Sequence, residues 1–127
     1  MDSSALLAIS FEEAEQSDFT NAIMAVDGAK IGAPNFLEAL MVVEARAGEA
    51  GGRELDKIAA NLGLSIVVFE AAHVVAAREA FRRCGEGRHR ALLNFGDCCA
   101  YGLAKALGLP LLFKGNDFVL TDIKPAL

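Results

Sequence analysis

The sequence has no Cys-x-x-Cys pair, no glycine-rich phosphate loop and no apolar run of membrane-spanning length in its 127 residues. Each absence removes a class of function. Its three cysteines, Cys84, Cys98 and Cys99, are an odd set with two members adjacent, poor geometry for a disulfide and a poor start for a zinc site. They suit a reducing compartment and packing in a core. Without Gly-x-x-x-x-Gly-Lys or Gly-x-Gly-x-x-Gly, cofactors held on phosphate loops are unsupported. No stretch approaches the roughly 18 apolar residues of a membrane span, and Met1-Asp2-Ser3-Ser4 lacks the basic segment of a signal peptide. A soluble, cytoplasmic protein with no membrane role is expected. Positive charge is scarce as well: 12 Lys and Arg against 17 Asp and Glu leave a net charge of −5. That field repels phosphate backbones at long range, so any nucleic-acid role needs a local basic patch or bound cations.

What is present is a core-forming chain. With 54% hydrophobic residues, intrinsic disorder is excluded, and residues 1–127 make a single domain large enough for a core without staples. No Pro- or Ser-rich linker and no repeat divides it. Residues 3–9 form a short apolar stretch led by two good N-cap residues, Ser3 and Ser4. Residues 11–29 read as a helix whose early acids, Glu12, Glu13 and Glu15, face the positive end of the helix dipole. A short strand-like segment, 30–33, precedes a helix opened by Pro34 and running to about 47. Gly48, Gly51 and Gly52 predict a turn, followed by a helix over 53–62 that Gly63 stops. The run 65–69 is the clearest strand. Helices are predicted over 70–83 and 95–107, the latter between Asn94 and Gly108, with a second buried strand at 109–113. Continuous apolar strands separated by helices indicate an α/β fold with a parallel sheet covered on both faces. In such sheets the ligand site lies beyond the carboxyl ends of the strands.

Four carboxylates fall there. Asp2 lies where a first strand gives way to a helix, and Glu38 in the first turns of the helix opened by Pro34. Asp97 is in the opening turn of the Asn94-led helix, and Asp117 follows the 109–113 strand across the Gly115-Asn116 turn. Acids at helix starts also serve as dipole partners. Glu38 and Asp97, however, have apolar neighbours, a setting in which a carboxylate needs a partner such as a metal. Hard divalent cations take oxygen ligands from a few such groups, and clustered acids match sites that activate water for phosphodiester cleavage.

These residues carry a resemblance. Met1-Asp2-Ser3-Ser4-Ala5-Leu6-Leu7-Ala8-Ile9 is similar to the opening of PIN-domain ribonucleases, in particular VapC-type toxins. Asn94-Phe95-Gly96-Asp97-Cys98-Cys99-Ala100-Tyr101, the following Ala104-Lys105-Ala106-Leu107-Gly108, Leu111-Leu112-Phe113-Lys114-Gly115-Asn116-Asp117-Phe118 and Thr121-Asp122-Ile123 resemble the same subfamily. Glu38 in Leu37-Glu38-Ala39 matches the family's internal glutamate, and Arg88-His89 before Asn94 also fits. The resemblance implies a PIN-like three-layer fold, with a central parallel sheet flanked by helices. It further implies a Mg²⁺- or Mn²⁺-dependent endoribonuclease that acts on RNA as the toxin of a toxin–antitoxin pair, with a VapB-like antitoxin lying in a groove near the active site. Asp2, Glu38 and Asp97 are then the core metal-site acids and Asp117 completes the set, with Asn116 beside it a neutral amide. The chain departs from the family in having only Met1 before Asp2, so a clipped first strand that holds Asp2 loosely is expected.

Lesser residues keep two readings each. Ser4 and Asn94 either hydrogen-bond a ligand carboxylate or cap a helix. Arg82, Arg83, Arg88, His89 and Arg90 either meet RNA phosphates or form a solvated face, and His73 on an apolar helical face reads as a core histidine. The helices around 11–26 and 36–43 carry more apolar positions than one core uses, which predicts a homodimer. Two rivals remain: a PIN fold weakened in catalysis that serves as a protein-binding module, and a phospho-receiver. The second lacks the acidic pair after the first strand.

Overall fold

A computed structural model describes residues 1–85, 87 and 92–127. In chain order the elements are α1 (Ser3–Ser10), α2 (Gln16–Met24), β1 (Lys30–Gly32), α3 (Ala33–Asn61), β2 (Ser65–Val67), α4 (Ala71–Cys84) and α5 (Phe95–Leu107). β1 and β2 pair in parallel, with Lys30, Ile31 and Gly32 opposite Ser65, Ile66 and Val67. Shorter extended segments continue the sheet. The Met1 amino group donates to the Lys30 carbonyl at 2.7 Å, and the Asp2 N–H donates to the Leu112 carbonyl at 2.9 Å. Leu111 in turn bridges in parallel to Pro125. The chain start thus lies between β1 and the 111–112 segment, in the middle of the sheet.

Helices cover the sheet on both sides, which is the expected three-layer α/β arrangement. One core cluster joins α1, β1 and the two arms of α3 through Leu6, Ile31, Phe36, Ala39, Val43, Leu55 and Ala59. Another joins α4, α5 and the C-terminal segment through Ala77, Ala80, Leu93, Tyr101, Leu111, Phe118 and Ile123. A third sets Ala5, Ala8 and Ile9 of α1 against Phe19, Ile23 and Leu112. Cys84, Cys98 and Cys99 are all free and buried, as packing residues should be.

Several boundaries differ from expectation, for local reasons. The 65–69 run pairs only to Val67 because its partner Gly32 is the last strand residue before α3, which Pro34 opens without an N–H to offer. The 109–113 run reduces to the bridge at Leu111, with Pro110 likewise lacking a donor. The helix expected over 11–29 begins only at Gln16, because α1 overruns into its start. Glu12 adopts φ 53°, its N–H donates to the Ile9 carbonyl, and the Glu13 N–H donates to the Ala8 carbonyl. This is a Schellman termination with glutamate in the place usually taken by glycine. Of the glycines 48, 51 and 52, only Gly48 breaks α3, at φ 65° and ψ −168°, a region essentially closed to side chains. Gly51 and Gly52 stay helical just beyond the fold-back, where a Cβ on Gly52 would lie 2.3 Å from the Glu44 carboxylate.

Candidate active site

Asp2 is the N-cap of α1, in extended conformation, and only 4% exposed. Its Oδ2 accepts from the Ser4 N–H at 3.0 Å and from the Ser4 hydroxyl, while its Oδ1 accepts from Asn35 Nδ2 at 3.3 Å. The expected loosening is absent: backbone and carboxylate are both held. Ser4 takes the first of its two readings, as partner of the Asp2 carboxylate, and it also accepts from the Lys114 N–H at 3.0 Å and so joins the 113–117 loop to Asp2. The N-cap of α1 is Asp2 itself, not Ser3 or Ser4.

Glu38 lies on α3, half-buried, and its Oε2 accepts from the Ser3 hydroxyl at 2.6 Å. On its other side is α5, so close that a Cβ on Gly96 would stand 2.5 Å from Glu38 Oε2. Asp97 occupies the third position of α5. Its Oδ2 accepts from the Asn94 N–H at 2.9 Å, and Asn94 Oδ1 accepts from the Asp97 N–H at 2.9 Å. Asn94 is therefore both cap and carboxylate partner. Asp117 is exposed, after the turn at Gly115.

Electrostatics ties the four acids together. Burial pushes the Asp97 carboxyl up to about 6, opposed by the Asn94 N–H and reinforced by the charges of Asp2, Asp117 and Glu38. Three of the sequence-predicted acids thus act on the fourth, Asp97. Among the described residues, no group of three or more His, Cys, Asp or Glu side chains forms a ready-made ion cage, as each of the three inner carboxylates is turned to its own protein donor. The donor chemistry fits a hard divalent cation. The site offers oxygens only, burial and, after it, the neighbouring carboxylate charges raise Asp97, and the thiols of Cys98 and Cys99 beside it are pushed up to about 11, chiefly by burial, so they stay neutral. Asn35, wholly buried, donates to Asp2 and to the Gly96 carbonyl at 3.0 Å. Its Oδ1 has no hydrogen-bond partner among the described residues, an unusual state for a buried amide oxygen.

Other candidates fall outside the site. Arg83 donates to the Tyr101 hydroxyl at 2.8 Å and to Asp122 at 3.3 Å, with Lys105 on the same carboxylate at 2.8 Å. It ties the C-terminal segment to α4 and α5. Lys105 and Tyr101 hold the Asp122 carboxyl down at about 2. Arg82 is exposed, and Arg88, His89 and Arg90 lie outside the described residues. His73 is buried against Phe69, its Nδ1 accepting from the Glu70 N–H at 3.0 Å, so it is a core and capping histidine. Glu15 lies at the start of α2 as expected, at its N-cap, and pairs with Lys114, as does Glu13 in the turn before it.

Sequence reading alone does not single out Ser3, Asn35 or Gly96 as supports of the acids. The available signals were slight: a serine directly after Asp2, an asparagine after the helix-opening Pro34, and a glycine one residue before Asp97.

Known proteins resemble this chain in sequence and fold. The PIN domain family model matches residues 1–124. Ribonuclease VapC30 of Mycobacterium tuberculosis is 47% identical over 123 residues, covering 97% of this chain and 94% of the relative. Ribonuclease VapC of Mycolicibacterium smegmatis is 45% identical over 123 residues, covering 97% and 95%. In fold, the crystal structure of Mycobacterium tuberculosis VapC20, titled a sarcin-ricin loop cleaving toxin, superposes with a TM-score of 0.74 at 14% identity, covering 96% of this chain and 93% of that one.

Proposed function

The chain belongs to the PIN-domain family, in its VapC ribonuclease branch, and from that premise we propose how its own residues cleave RNA. It is an endoribonuclease, a hydrolase of RNA phosphodiester bonds of the toxin type. Asp2, Glu38 and Asp97, with Asp117 at the rim, would hold Mg²⁺ or Mn²⁺. When bound there, such an ion lowers the pKa of a water and screens the phosphate under attack.

The chain supplies fixed geometry for that chemistry. Asn35 and Ser4 grip opposite oxygens of Asp2, Ser3 holds Glu38, and the Asn94 N–H holds Asp97. Each inner carboxylate is therefore anchored by at least one protein donor, as outer-shell partners anchor ligating groups. Asp97 and Asn94 sit at the N-terminus of α5, whose positive end favours a phosphate brought close to it. Bound cations also resolve the conflict between a net charge of −5 and an anionic substrate.

The observation that carries this reading is the seam that brings the inner acids together: Asn35 donates both to Asp2 and to the carbonyl of Gly96, which precedes Asp97 and lies against the Glu38 carboxylate. We further propose a VapB-like antitoxin as partner, a homodimer as the working form and the cytoplasm, where RNA is met, as its location. Incubating labelled RNA with the protein in Mg²⁺ or Mn²⁺, in EDTA, and with Asp97→Ala tests the reaction. Metal-dependent cleavage that the variant loses supports it; cleavage that persists in EDTA or in Asp97→Ala overturns it.

A further inference from the structure

Among the large apolar side chains of the described residues, Phe95 is the most exposed, at 80%. It is the first residue of α5, between the cap Asn94 and Gly96-Asp97. A lone exposed phenylalanine needs no explanation, but this one borders a cavity of about 420 Å³ between α4 and α5, whose walls include Phe69, Val74, Phe81 and Arg78. That cavity abuts the acids. Asn94, Cys98 and Cys99 also line it, and the Asn94 N–H holds the Asp97 carboxylate.

Resting on the nuclease reading above, we propose that this cavity seats an unpaired base of the RNA next to the cleaved bond, stacked on the ring of Phe95. The argument is one of continuity and chemistry. A phosphate that a cation would hold at the four acids leaves its neighbouring base one nucleotide away, and the acids themselves offer no π face. Phe95 offers one at the mouth of an apolar cavity, and the exposed Arg78 on the wall is placed for the next phosphate or for the far face of the base. Stacking of this kind accepts any base, and it selects unpaired over paired RNA because a base in a helix has no free face. Phe95 is then a substrate-positioning residue, and the preference it confers is for single-stranded segments and loops.

The sequence contains no tryptophan, so Phe95→Trp is a single reporter at the cavity. Its emission should be quenched saturably by a single-stranded oligoribonucleotide that the wild-type protein cleaves, and not by an abasic ribose-phosphate oligomer of equal length. In cleavage of that oligoribonucleotide, Phe95→Ala should raise KM about tenfold with kcat within about twofold, and Phe95→Tyr should restore KM. A merely structural role would not give that split and rescue. Unmoved tryptophan emission while the labelled oligomer binds by anisotropy overturns the proposal, as does an unchanged KM in Phe95→Ala. Quenching by an apolar peptide but not by RNA also overturns it and assigns the cavity to a protein segment. The emission readout does not require cleavage, so failure of stacking is distinguishable from failure of the nuclease reading, which the wild-type assay reports.

Discussion

Asp97 shows what a buried carboxylate costs the fold. Its carboxyl, at about 6 in the folded chain against an ordinary 3.8, binds its proton more tightly folded than unfolded, so ionisation opposes folding. The penalty is absent below about pH 4, grows between about pH 4 and 6 and is complete above that. Asp97→Asn, which keeps an oxygen for the Asn94 N–H, should therefore raise stability in EDTA at pH 7 by about 1–2 kcal/mol and leave it unchanged near pH 4, while abolishing cleavage. Thermal melts across that range check this; a variant less stable than wild type at pH 7 would contradict it. At this scale the acids themselves were legible in the sequence, since charge beside apolar neighbours is a local pattern. Their supports were not. Ser3 and Asn35 reach carboxylates 35 and 33 residues away, and no local pattern encodes a contact between segments so far apart.

Between elements, the site is the seam where α1, α3 and α5 meet, and Gly96 sets its width. A methyl group there would fall within 3 Å of the Glu38 carboxylate. Because that carboxylate ends a flexible side chain, Gly96→Ala should fold, with Tm close to wild type as the better helix former offsets the strain. The displaced Glu38 would leave Ser3, and cleavage should fall on the order of a hundredfold, the scale of an ångström's misplacement. Wild-type activity in this variant would remove Glu38 from the site. Helix ends were legible where the ordinary residue does the work: Asn94 and Gly108 bound α5 as read, and Gly63 stops α3 at φ 63°. They were not legible where an unusual residue does it, as Glu12 does after α1. The strands were overextended for a related reason. Apolar β-branched runs report burial, whereas strand length is fixed by how far a partner continues, and β1 stops at Gly32.

For the whole molecule, the expected surplus of apolar positions is realised as surface. α3 buries Phe36, Ala39 and Val43 but exposes Leu37 and Met41, and Met24 and Val26 are exposed at and beyond the end of α2. Exposed apolar side chains of this kind are what the proposed homodimer would cover. Light scattering at micromolar concentration should give twice the chain mass, and Met41→Glu or Val26→Glu should shift it toward one; a wild-type monomer would contradict the dimer. No helix among the described residues is long and apolar enough to cross a membrane.

In the proposed nuclease, Asp2, Glu38, Asp97 and Asp117 act together as one cation site. Calorimetric titration of the metal-free protein with Mn²⁺, beside Asp97→Asn and Glu38→Gln, checks this. Wild type should bind saturably, with a matching rise in Tm, and both variants should lose that binding. Equal affinity in wild type and variants would rule out a shared site.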